Sequence, residues 1–187
     1  MDEQILRIFN DTKQGMDAAI DFLDKTYQKL HAGKASVDML DGVKVECYGT
    51  AMPLNQVGNI TIPDAKQIVV QPWDKNMLGP IEKAIRNANL GFNPINNGEV
   101  VRVIIPAVTE ERRKEIVKKA HQEAETAKVS IRSVRKTANN AAKDLKNNGV
   151  SEDELKVFDT KLQEITNEYT SKVDKILEAK EKDVMTV

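Results

Sequence analysis

The chain has one cysteine, Cys47, in 187 residues. That excludes an internal disulfide framework and a cysteine metal cluster, and it fits a reducing compartment such as the cytoplasm. Histidine is almost as scarce: His31 and His121 are the only two, and neither has a second ligand at a familiar metal-binding spacing. No metal site is expected. The glycine-rich phosphate loop, the dinucleotide glycine motif, the "HExxH" zinc pattern and the nucleophile elbow are all missing, so no catalytic residue is assigned and neither enzymatic activity nor a cofactor is expected. No apolar run is long enough to span a bilayer, and the start "MDEQILRIFNDTK" is acidic and amphipathic where a signal peptide would be basic and then apolar. The expectation is a cytoplasmic, monomeric protein with no membrane partner.

With aromatics at 4% and charged residues at 30%, the composition favours long helices packed through small and aliphatic side chains. The pattern of apolar positions agrees. Ile5, Phe9, Thr12, Met16, Ala19, Leu23, Thr26 and Leu30 recur at alternating spacings of four and three, the period of an amphipathic helix. The pattern stops at "HAGKAS". From Val43 the period is two, with Val43, Val45 and Cys47 on one face of a strand and Lys44 and Glu46 on the other. "YGTAMPLNQ" reads as a turn, "GNITIPD" and "KQIVVQPW" as strands, "NMLGPIEKAIRNA" as a short helix stopped by Gly91, and "GEVVRVIIP" as a final strand.

After Pro106 the helical period returns in Val117, Ala120, Ala124, Ala127, Ile131, Val134, Ala138, Ala141 and Leu145, predicting a helix over 110–146 with Thr109 as its N-cap and "NNG" as its stop. "SEDE" has capping-box spacing between Ser151 and Glu154, and it opens a third helix with Leu155, Phe158, Leu162, Ile165, Tyr169, Val173 and Ile176 on one stripe. Three single-stripe helices are not stable alone and should pack together. The expected fold class is therefore α+β: a long three-helix bundle from 1–31 and 106–187, with a small β/α/β domain, 32–105, inserted between helices one and two. Two thin connectors at Ala32, Gly33, Ile105 and Pro106 suggest a hinge.

Net charge is −1, yet "KVSIRSVRKTANNAAK" carries five cations and no acid. With Ile131 at zero and about 100° per residue, Arg135 falls near about 40°, Lys128 about 60°, Arg132 about 100°, Lys143 about 120° and Lys136 about 140°. Lys114 and Lys118 share the sector, so a basic ridge runs beside the apolar seam. Such a ridge is either a solvated face paired with acids of the third helix or a surface for phosphate. Having no aromatic side chains and no single-strand motif, it suits structured RNA, which is recognised through backbone and shape. A helical scaffold that binds only proteins is the alternative.

"HAGKAS", "YGTAMPLNQ", "IEKAI", "LGFNP", "PAVTEERRKE" and "VSIRSVRK", in this order across essentially the whole chain, resemble the bacterial ribosome recycling factor family. The resemblance implies an L-shaped molecule that acts after termination with elongation factor G and GTP to split the ribosome and release it from mRNA. It implies docking of the bundle on large-subunit rRNA, with Arg132 and Arg135 at the family's R-x-x-R step and Lys128, Lys136 and Lys143 beside it. Where the family's connector reads R-x-G-R-A, this chain has His31 and Lys34. Lys34 keeps the charge but loses the bidentate fork of an arginine. Thr137 stands where an acid is common, and Arg112 and Arg113 of "TEERR" are further candidates for rRNA contact.

Overall fold

The computed structural model describes residues 3–186. In chain order it has helix α1 (Glu3–Gln28), strands β1 (Lys44–Cys47) and β2 (Thr50–Pro53), and the one-turn helix α2 (Leu54–Val57). Strands β3 (Gly58–Asp64) and β4 (Gln67–Pro72), helix α3 (Leu78–Asn87), and strands β5 (Pro94–Asn96) and β6 (Val101–Ile104) follow. The long helices α4 (Glu110–Lys146) and α5 (Glu152–Met185) complete the chain. There are two compact units: one runs through Leu30 and resumes at Glu111, and the other is His31–Glu110.

The first unit is a bundle of α1, α4 and α5. Each helix buries one stripe: Ile5, Thr12, Met16, Leu23 and Tyr27 from α1; Ile116, Ala120, Ala124, Ala127, Ile131, Ala138, Ala142 and Leu145 from α4; Phe158, Leu162, Ile165, Thr166, Tyr169, Val173 and Val184 from α5. The expected stripes hold at most positions; on α4 Val134 and Ala141 are half-buried, with Ala142 buried beside them, and Leu155 and Ile176 of α5 are half-buried. Tyr27 rather than Thr26 and Ile116 rather than Val117 are buried, because the buried set follows the 3.6 residues per turn of an undistorted helix instead of a strict 3.5 repeat. A glycine on α1 lets it approach α4: a Cβ on Gly15 would lie 3.1 Å from Val134 Cγ1.

The tyrosine and threonine hydroxyls buried in this seam are satisfied. The Tyr27 hydroxyl donates to the Ala120 carbonyl at 2.6 Å, and Tyr169 donates to the Asp17 carboxylate, so α1 is tied to both partners. Burial pushes the Tyr27 phenol up to about 12, with Glu123 and Glu181 adding to the effect; burial and the Asp17 bond raise Tyr169 as well. Thr12 and Thr166 are buried and donate to carbonyls one turn back, Ile8 and Leu162, at 2.6 Å each. The α4–α5 turn uses Gly149 at φ +95° and returns the Val150 N–H to the Leu145 carbonyl at 3.3 Å. Ser151 Oγ accepts the Glu154 N–H at 3.3 Å, capping α5 above a first turn of three acids.

The second unit is a four-stranded antiparallel sheet in the order β3-β4-β6-β5, with the hairpin β1-β2 as a separate sheet. Ile68 and Val70 of β4, Val101 and Val103 of β6, and Ile81 and Ile85 of α3 form its core with Val45. Two readings need correction. "YGTAMPLNQ" is not all turn: only Tyr48 and Gly49, at φ 48° and 84°, make the bend, after which Thr50–Pro53 pairs with β1 and Leu54–Val57 forms α2. Short β5 adds an edge the sequence pattern did not signal. Its only buried residue is Pro94, so it has no alternation to detect. Helix α3 ends before Gly91, where Asn89 already takes the left-handed conformation at φ 53°.

Candidate nucleic-acid interface

The basic flank of α4 borders α5. Lys128 lies closest to that helix: its ammonium is 2.6 Å from Asp174 of α5 and 3.8 Å from Glu125, and its side chain is only 19% exposed. Arg132 is well exposed and reaches Glu125 at 3.8 Å, a distance that leaves the guanidinium fork largely open. Arg135 is half-buried, while Lys136 and Lys143 are exposed. Among the described residues these three make no ion pair. Arg135, Asn139 and Lys143 face Asp159, Thr160, Gln163 and Glu164 across a groove of about 590 Å³.

The ridge thus divides. At its centre Lys128 is held by an acid of α5, the pairing a solvated face would show. Toward the helix C-terminus Arg135, Lys136 and Lys143 make no ion pair among the described residues, whereas Lys146 in the last turn pairs with Glu152 at 2.9 Å; the half-buried Arg135 is well placed to meet phosphate. Glu125 was the legible part of the pairing, since it stands three residues before Lys128 on the same helix. Asp174 was not, because the register between two antiparallel helices is not written in either one.

The "TEERR" arginines lie apart from this group. On the same wheel Arg112 falls at about −100°, across the seam from the ridge, and pairs with Glu115 at 2.8 Å. Arg113 falls at about 0°, on the seam itself; it is half-buried and its Nε is shielded without a hydrogen-bond partner. Lys34 is half-buried in the first connector.

All four connector residues belong to the His31–Glu110 unit. Gly33 has φ +78°, and a Cβ there would come 2.6 Å from Val108 Cγ2, so the two connectors touch where only glycine fits. Ile105 is buried, and its N–H bonds the Lys66 carbonyl at 2.7 Å. Ala32 is half-buried and Pro106 exposed.

Among the described residues no group of three or more His, Cys, Asp or Glu side chains could hold a metal ion. His121 pairs with Glu181 between α4 and α5. Cys47 is half-buried against the core of the second unit. No helix of the described residues is long and apolar enough to cross a membrane.

The chain is 49% identical over 187 residues to the ribosome-recycling factor of Flavobacterium johnsoniae and 47% identical over 187 residues to that of Flavobacterium psychrophilum, each covering 100% of both chains. A solution structure of a ribosome recycling factor superposes with a TM-score of 0.79 at 39% identity, covering 100% of both chains. A T. thermophilus ribosome recycling factor, described with the E. coli elongation factor G on the E. coli post-termination complex, matches with a TM-score of 0.63 and 39% identity, covering 97% of this chain and 99% of that one. The sequence model of the family described as ribosome recycling factor matches residues 23–185, and on these grounds the chain belongs to the ribosome recycling factor family.

Proposed function

We propose that this protein recycles ribosomes in the cytoplasm by binding rather than by catalysis, working with elongation factor G and GTP on the post-termination ribosome. The bundle docks on large-subunit rRNA through the open part of the α4 ridge: Arg132, Arg135, Lys136 and Lys143. The observation that carries this is the unpaired state of Arg135, Lys136 and Lys143 on one flank of a rigid 37-residue helix. The solved relative described on a post-termination complex with elongation factor G supports the setting. In this reading Lys128 is a structural cation, and Arg112 and Arg113 serve the start of α4. The swing between units takes place at the connectors around Ala32, Gly33, Ile105 and Pro106, which lie between the end of α1 and the start of α4.

Arg135 is the decisive test. Arg135→Ala removes no buried group, so its melting temperature should stay close to that of the parent. Its affinity for isolated large subunits should fall by about 1–3 kcal/mol as a charge-assisted contact is lost. The slope of log affinity against log salt should shrink by about one unit, since one fewer phosphate is neutralised. Arg135→Lys should recover part of the loss. Unchanged affinity and slope in Arg135→Ala would return the ridge to a solvated face and favour a scaffold that binds only proteins.

A further inference from the structure

An rRNA-binding helix does not account for the aromatic side chains that the inserted unit displays. Trp73, the sole tryptophan, is 70% exposed, and Tyr48 is 80% exposed. Tyr48 also holds a strained backbone, φ 48°, in a turn position that glycine or asparagine fills without strain. Strain of this kind persists only where the surroundings impose it, and it gathers at functional positions.

The side chain is anchored as well. Its hydroxyl donates to Asp74 Oδ2 at 2.7 Å, and the Asn76 N–H bonds Asp74 Oδ1 at 3.0 Å. Trp73, the residue before Asp74, is set in place by its own N–H to the Val57 carbonyl at 3.2 Å. The Asp74 carboxylate is therefore fixed through both oxygens, with acceptor capacity left on each. The Asn76 N–H and then the Tyr48 hydroxyl hold it below the usual carboxylate range, so it is charged. Among the described residues no cation pairs with it.

A fixed, unpaired carboxylate bonded to an exposed tyrosine attracts a cation twice over, by charge-assisted hydrogen bonds and by the ring face, and the exposed Trp73 is its neighbour in the chain. It repels phosphate. We propose that Tyr48, Trp73 and Asp74 form a receptor for an arginine or lysine side chain of a protein component of the recycling complex, a proposal that rests on the recycling reading above.

The test places a photoreactive residue in the patch, Trp73→p-benzoylphenylalanine, and irradiates the factor on post-termination ribosomes with elongation factor G and GTP. The label should map to a protein segment at an arginine or lysine. Adding Asp74→Lys should cut the yield at least about tenfold through like-charge repulsion, while cosedimentation with isolated large subunits persists. Asp74→Asn keeps the turn and the Tyr48 contact but removes the charge, and it should give an intermediate yield. Labelling of rRNA alone, no labelling of any component, or a yield unmoved by Asp74→Lys overturns the receptor. Failure of the parent factor to cosediment would instead sink the recycling reading.

Discussion

The bundle and the inserted unit use their few aromatic side chains in opposite ways. In the bundle Tyr27, Tyr169 and Phe158 are 5%, 1% and 1% exposed, and both hydroxyls are bonded across helices, so aromatic area joins the long elements. Phe22, 65% exposed, and the half-buried Phe9 on α1 are the exceptions. The inserted unit builds its core almost wholly from aliphatic residues and leaves Tyr48 and Trp73 outside. The bundle presents open cations, and the inserted unit presents an exposed tyrosine bonded to an anion. Partners of different chemistry are accordingly proposed: phosphate for one, a basic protein side chain for the other.

The comparison assumes two separate cores, and a large truncation in one of them is the strongest way to break it. Ile131 is fully buried at the middle of α4. Ile131→Ala should cost about 2–5 kcal/mol, by lost transfer free energy and the cavity left behind. Amide exchange should quicken along α1, α4 and α5 and stay slow in β4 and β6. Equal loss of protection in both units would show a single folding unit and end the comparison.

A smaller effect separates a structural tyrosine from a displayed one. Tyr27 titrates near about 12 in the folded chain, above the usual phenol value of 10.0. A raised folded value means that its contribution is complete below the unfolded value and is lost as pH climbs from about 10 to about 12. Tyr27→Phe should remove about 1 kcal/mol at neutral pH, the net worth of one hydrogen bond. It should also flatten that part of the alkaline limb in a series of denaturant melts. Tyr48 is raised too, by its bond to Asp74, but its ring lies in water. Tyr48→Phe should therefore flatten the alkaline limb less than Tyr27→Phe does.

The contrast between the units also governs what could be read from sequence. Long helices repeat their burial signal many times, so all three stripes were legible in outline, and the errors at Thr26, Val117 and Ala141 were single steps where a 3.5 repeat departs from 3.6. The insertion between helices was legible as a change of period at Val43. β2 and β5 were not, because a two-strand hairpin with exposed Thr50 and Ala51 and a three-residue edge strand bury too little to impose alternation. For the site, helical geometry gave the ridge. Which of its cations are tied up depends on the α4–α5 register, a property of two helices together. The Tyr48–Asp74 bond spans 26 residues of folded chain and left no local pattern.

Lys128 is where that distinction is sharpest, and the smallest effect is expected there. It shares the ridge with Arg135, yet its ammonium lies 2.6 Å from Asp174, with the lysine side chain 19% exposed and the aspartate 57%. Lys128→Met keeps most of the stem that packs between the helices. The ion pair it removes is partly exposed and worth about 0–1 kcal/mol, and Asp174 is left in water rather than stranded in a core. Stability should therefore fall by about 0.5 kcal/mol or less. Affinity for large subunits should stay within about twofold, and the salt slope should not change, because a cation already neutralised within the protein releases no counterion from RNA. Binding and melting measured on the same preparation decide the matter. A loss of affinity as large as that of Arg135→Ala would mean that Lys128 leaves Asp174 to meet phosphate, and that pairing within the bundle does not sort structural cations from binding ones.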